Sequence, residues 1–248
     1  MPMANLTGKK AFVTGGSRGI GAAIVKRLAT EGADVAFTYA RSGEKAGEVA
    51  IAVEAEGRRA MAIQADNRDP DSVRAAVEKA VKTFGGLDIL VNSAGIYEEA
   101  SIDELTLEDF DRTLDVNLRA AFIASRAAVD HMPDGGRIVA IGSNLAVRVP
   151  FPGISLYAMS KSALIGLTKG LARDLGSRAI TANVVHPGST DTDMNPATGE
   201  GADVQRSIMA IPRFGDPAEV AGLVAWLAGP QARGVTGAEF TIDGGANA

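Results

Sequence analysis

Apolar positions along this chain follow two rhythms. Short, nearly continuous runs read as buried strands: "KAFVTG", "ADVAFTY", "RAMAIQAD", "LDILVNSAG", "GRIVAIGS", "AITANVVHPG" and "AEFTIDGG". Longer stretches between them carry apolar residues every three or four positions, the spacing of one helix face. "RGIGAAIVKRLATEG" is such a stretch, and it stops on Gly32. "EKAGEVAIAVEAEG", "LEDFDRTLDVNLRAAFIASRAAVDHM", the stretch around "YAMSK" and "PAEVAGLVAWLAG" repeat the pattern. "DPDSVRAAVEKAVKTFGG" adds Asp69 and Pro70 where a cap and a first helical residue belong. Strands alternating with helices predict an α/β, Rossmann-like three-layer sandwich with a mainly parallel, seven-stranded, doubly wound sheet. No linker or repeat divides residues 1–248, so one domain is expected. The Gly- and Pro-rich stretch at about 188–212 reads as an irregular loop over a site.

Composition narrows the chemistry. The 46% hydrophobic and 22% charged content suits a soluble globular protein, and no apolar run reaches the length of a membrane span. A cytoplasmic protein without a membrane partner is therefore expected. A net charge of −5 speaks against a nucleic-acid partner, which would call for an excess of Lys and Arg. With no cysteine and only His131 and His186, both read as structural, no metal site is expected.

Two local patterns carry chemistry. "TGGSRGIG" joins the first strand to the first helix, where glycines let backbone N–H groups approach a pyrophosphate at a helix N-terminus. "YAMSK" places Tyr157 and Lys161 on one helix face. Taken alone, that pair reads first as a Tyr packed over a Lys stem, and only second as an acid/base tuned by an ammonium.

Other motifs in chain order decide between them. "TGGSRGIG" resembles the TGxxxGxG fingerprint of the short-chain dehydrogenase/reductase family, "NSAG" its NNAG segment and "YAMSK" its YxxxK motif. Asn117 in "DVNL", Ser143 at a strand end, and "HPGSTDT" complete the resemblance over essentially the whole chain. It departs at Ser93, in place of the second asparagine, and in a gap of fourteen residues between Ser143 and Tyr157, one longer than is usual in the family.

The resemblance implies Asn117, Ser143, Tyr157 and Lys161 as catalytic residues, with Tyr157 as general acid/base. Lys161 would favour the phenolate and hold the nicotinamide ribose, Ser143 would bind the substrate oxygen, and Asn117 would hold a water. Cofactor contacts would come from Gly15, Ser17, Arg18, Gly19, Ile20 and Gly21, and from Asn92, Ala94 and Gly95. Tyr157 and Lys161 would join them, as would Pro187, Gly188, Thr190 and Thr192. Asp66 and Asn67 would lie at the adenine, although Asp66 also suits a helix-flanking role.

Tyr39 stands where a ribose-binding acid would select NAD(H), and Arg41, Ser42 and Arg18 lie close by. Two guanidinium groups suit a 2′-phosphate, so NADP(H) is preferred over NAD(H). Ile96, Tyr97, Leu145, Phe151 and Met194 suggest a neutral ketone or alcohol as substrate, or an oxoester of 3-oxoacyl type.

Members acting on carrier-protein substrates have a basic cluster near the end of the fourth helix; here the segment reads "DHMPDGG". A homotetramer is the family expectation. The C-terminal part also resembles a bacterial subgroup associated with cyclic-di-GMP binding and biofilm dispersal, which makes that dinucleotide the alternative partner. "RDPD" and "RTLD" superficially match a contact motif for it.

Overall fold

The computed structural model describes residues 5–248. Seven parallel strands form one sheet: β1 (Lys10–Thr14), β2 (Asp34–Tyr39), β3 (Ala60–Gln64), β4 (Ile89–Asn92), β5 (Arg137–Ile141), β6 (Thr181–Pro187) and β7 (Glu239–Ile242). Their order is β3-β2-β1-β4-β5-β6-β7, with every pairing parallel. This is the doubly wound, Rossmann-like sheet that the alternating rhythms predict.

Period-two geometry sends neighbouring side chains of β1 to opposite faces. Ala11 and Val13 pack with Ile24, Val25 and Leu28 of helix α1 (Gly19–Thr30) and with Val224 and Leu227 of helix α8 (Pro217–Ala228). Phe12 turns the other way, toward Val77 and Ala80 of helix α3 (Pro70–Phe84) and Ala124 and Ala128 of helix α5 (Ala120–Val129). Each fully buried large side chain contributes about 1.5–3 kcal/mol, so both layers are needed to hold a sheet this apolar. Helix α2 (Gly43–Ala55) completes the α1 side. As expected, Asp69 caps α3 by accepting from the Asp71 N–H, with Pro70 in its first turn.

Two elements differ from the sequence pattern. The long helix expected from "LEDFDRTLDVNLRAAFIASRAAVDHM" is interrupted: α4 (Leu107–Leu114) passes through a π-helical turn, Asp115–Arg119, before α5 begins. A π turn inserts a residue without breaking the apolar stripe, so the periodicity runs on unaltered. The 188–212 stretch is not wholly irregular, because helix α7 (Ala202–Ser207) forms within it. Helix α6 (Ser155–Asp174) carries the YAMSK residues.

The site follows from the topology. From β1 the chain order runs one way to β2 and β3 and the other way from β4 onward, so the connections diverge at the carboxyl end of β1. A crevice opens there, in the position where such sheets take their ligands.

Candidate active site

The cleft has a volume of about 1740 Å³ and runs across the carboxyl ends of the strands. Its floor is the glycine loop after β1. Gly15 has φ +69°, and a Cβ at Gly21 would lie 2.1 Å from the Gly15 carbonyl oxygen, so the turn closes only without side chains there. Two buried threonines brace it. The Gly15 N–H donates to Thr38 Oγ1 at 3.0 Å, and Thr14 Oγ1 accepts from the N–H groups of Ser93 and Ala94 at 3.0 and 3.1 Å. Thr14 opens the TGGSRGIG motif, whereas Thr38 does not stand out in the sequence, since a hydroxyl inside an apolar run reads simply as strand.

At one end of the cleft the wall is cationic. Arg18, Tyr39, Arg41, Ser42, Asp66 and Asn67 all border it. Arg18 and Arg41 are exposed, and no carboxylate ends β2. Asp66 is held instead by Arg68, with Nη2 to Oδ2 at 2.7 Å. Arg68 and, more weakly, Arg41 keep the Asp66 carboxyl below its usual range. A turn closed by Gly15 and Gly21, beside the exposed guanidiniums of Arg18 and Arg41 and with Asp66 engaged by Arg68, fits a dinucleotide bearing an extra phosphate. Across the cleft, Lys45 of α2 pairs with Asp193 of the 188–212 stretch at 2.6 Å.

The other end is buried and apolar. Ser143 follows β5, Tyr157 and Lys161 rise from α6, and all three border the cleft. Burial pushes the Tyr157 phenol up from its ordinary value, opposed by a hydrogen bond with the Ser143 side chain. The downward influence expected from Lys161 does not decide the outcome. Lys161 Nζ donates to the Ile141 carbonyl at 3.0 Å and lies 5.8 Å from the Tyr157 ring centre. Burial also lowers Lys161 itself, to about 8. The arrangement therefore keeps a protonated phenol near a lysine that loses its charge as pH rises through about 8.

Asn117 does not border the cleft; the π turn sets its amide behind it. Its Oδ1 accepts from the Ile96 N–H at 2.8 Å, and its Nδ2 donates to the Ile96 carbonyl and to Ser160 Oγ, both at 3.0 Å. Asn92 also points away, with Nδ2 donating to Ser125 of α5 at 3.1 Å. Gly19, Ile20 and Ser17 of the loop, Ala94 and Gly95 after β4, and Pro187, Gly188, Thr190 and Thr192 after β6 all reach the cleft.

Four neighbours carry little signal in the sequence. Tyr97 packs edge-on against Tyr157 with ring centres 5.0 Å apart, and donates its phenol to Glu99 Oε2 at 2.8 Å. Burial, then Glu99, raise the Tyr97 phenol far above its ordinary range, so it stays a donor. Asn195 and Gln205 exchange hydrogen bonds at 2.9 and 3.0 Å and tie α7 to the stretch before it. His186 accepts from the Ser143 N–H.

The comparisons bear on this geometry. The family model described as Enoyl-(Acyl carrier protein) reductase matches residues 15–247. A short-chain dehydrogenase from Burkholderia cenocepacia J2315, solved in complex with NADP, superposes with a TM-score of 0.97 at 63% identity, covering 98% of this chain and 100% of that one. BdcA in complex with NADPH superposes with a TM-score of 0.89 at 51% identity over 97% of this chain and 95% of its own. The cyclic-di-GMP-binding biofilm dispersal mediator protein of Escherichia coli (strain K12) is 51% identical over 242 residues, 98% of each chain. With a matching model across nearly its whole length and relatives this similar, the chain belongs to the short-chain dehydrogenase/reductase family of oxidoreductases.

Proposed function

We propose that this NADP(H)-dependent oxidoreductase reduces a neutral, largely apolar ketone to a secondary alcohol, with Tyr157 as the proton donor. One observation carries the reading: Ser143, Tyr157 and Lys161 meet at one end of a cleft whose far end is cationic, with Tyr157 and Lys161 on the same helix face. When bound, the cofactor supplies the hydride. Arg18, Arg41 and Ser42 would hold its extra phosphate, the Gly15–Gly21 turn its pyrophosphate, and Thr190 and Thr192 its nicotinamide end. The similar structures solved in complex with NADP and NADPH support that choice.

The side chains divide the remaining work. Ser143 orients the carbonyl oxygen with its hydroxyl, and Tyr157 donates to that oxygen as negative charge develops on it. Lys161, while protonated, stabilises the phenolate left behind. Asn117 holds the main chain at Ile96, which lines the cleft beside Tyr97, and so sets the position of that wall.

Substrate class follows from the lining. Ile96, Leu145, Phe151, Ile154, Met194 and Ile208 surround the reacting end. Besides the buried Lys161, that end has Arg112, which is occupied by Glu98 and Asp109. An anionic acyl carrier would find no free cation among these residues. Assaying NADPH oxidation over matched neutral and carboxylate-bearing ketones tests this: neutral substrates should turn over, and exclusive turnover of the charged ones would refute it.

The similarity to the E. coli dispersal protein supports a second reading, in which cyclic-di-GMP enters the same cleft. The RxxD strings give it little support here, because Arg68 is engaged by Asp66 and Arg112 by Glu98 and Asp109. Calorimetric titration with the dinucleotide separates the readings. Exposed Leu107 and Phe110 on α4 and Phe122 on α5 support the homotetramer, which sedimentation would measure. A cytosolic setting, where NADPH is abundant, suits the proposed reduction. No described helix is long and apolar enough to cross a membrane.

A further inference from the structure

His186 is fully buried in β6, yet its ring does more than fill space. Nδ1 accepts from the Ser143 N–H at 3.2 Å. Nε2 lies 3.5 Å from Glu239 Oε2 on the neighbouring strand β7, and Lys169 holds the other carboxylate oxygen, Oε1, at 2.7 Å. Strand register makes the first contact. Ile141 of β5 pairs with Val185 of β6, and the Gly142 N–H donates to the Val185 carbonyl at 2.7 Å, which lays the next peptide against the imidazole. Gly142 is needed for this approach, because a Cβ there would sit 2.5 Å from Nδ1.

An imidazole that accepts at Nδ1 and faces a carboxylate at Nε2 is neutral, with its proton on Nε2. Burial, which pushes His186 below its ordinary value, agrees with that form. The ring thus pins the main chain of the one residue that must hold the substrate oxygen, through a bond a protonated or reversed ring could not accept.

Resting on the reductase reading above, we propose that His186 is a positioning residue for the reaction: its Nδ1 fixes the Ser143 backbone, and the nearby Glu239 carboxylate, although not hydrogen-bonded to Nε2, favours a proton on that nitrogen and so the tautomer that makes this bond. The residue touches neither substrate nor cofactor in this role. It sets where the Ser143 hydroxyl meets Tyr157.

Two measurements on the full-length protein test the proposal. Nitrogen NMR of labelled protein reads the tautomer directly, since the chain has only two histidines and a His131→Gln variant identifies the resonances. A pyridine-type Nδ1 and a protonated Nε2 are expected; a protonated Nδ1 overturns the proposal. In kinetics, His186→Phe removes the acceptor and should lower kcat about tenfold or more while KM for NADPH stays within about twofold. His186→Asn, which can place an amide oxygen near the Nδ1 position, should restore most of kcat. Equal loss in both folded variants, or an unchanged kcat in His186→Phe, contradicts positioning. If His186→Phe does not fold, the tautomer and His186→Asn decide. A wild-type enzyme that reduces no ketone would sink the reductase reading first, and the tautomer would then judge the His186–Ser143 contact by itself.

Discussion

The two ends of the cleft solve opposite problems. The cofactor end recognises charge with exposed guanidiniums and a turn of backbone braced by Thr14 and Thr38. Water reaches it, so it works through directed hydrogen bonds and tolerates a surface ion pair such as Lys45–Asp193. By burial the reacting end is the drier of the two, with Ser143 and Lys161 nearly inaccessible. There Lys161 is buried and Tyr157 is held protonated, and the same burial that makes each group costly to ionise makes it responsive to a neighbour. Placing recognition in water and proton transfer out of it would let one cleft bind a highly charged dinucleotide beside the apolar ketone proposed as substrate.

The largest effect should come from breaking the drier end. Tyr157→Phe keeps the ring and removes the proton, and should cut kcat at least about a hundredfold while NADPH binding by fluorescence titration is retained. Retained turnover would remove Tyr157 from the chemistry. Next, Arg41→Ala at the wet end should raise KM for NADPH about tenfold and leave KM for NADH nearly unchanged, the loss of one charge-assisted phosphate contact. Equal changes for both cofactors would show that Arg41 faces only solvent.

The pH profile sharpens the contrast. Lys161, lowered to about 8, is charged below that value and neutral above it, so kcat/KM for reduction should fall as pH rises through about 8. A flat profile through that range would mean that Lys161 acts without its charge. The smallest effect concerns the brace beneath the turn. Thr38→Val leaves the Gly15 N–H without its acceptor and should cost about 1–3 kcal/mol of stability by denaturant unfolding, with kcat unchanged once cofactor is saturating.

Much of this division was legible in the sequence, and the parts that were not share a cause. The seven strands follow from continuous apolar runs, and Asp69 with Pro70 marks α3 because capping is local. Gly15, Ser143, Tyr157 and Lys161 could be named from motifs, since each sits at the end or on the face of a recognisable element. What escaped depends on contacts between distant segments. The π turn at Asp115–Arg119 leaves hydrophobic spacing intact, so only the fold shows that Asn117 braces the wall at Ile96. His186 and Ser143 are 43 residues apart, and their hydrogen bond exists only because β5 and β6 are neighbours in one register. The Tyr157 phenol, which spacing in the sequence ties to Lys161, is governed in three dimensions by burial, with Ser143 opposing it.

The most direct test is to follow the label. With NADPH carrying deuterium at the transferable position and a neutral aryl ketone, the account predicts deuterium on the carbinol carbon of the alcohol, with its formation suppressed in Tyr157→Phe. No labelled alcohol from any neutral ketone, together with saturable calorimetric binding of cyclic-di-GMP, would contradict it.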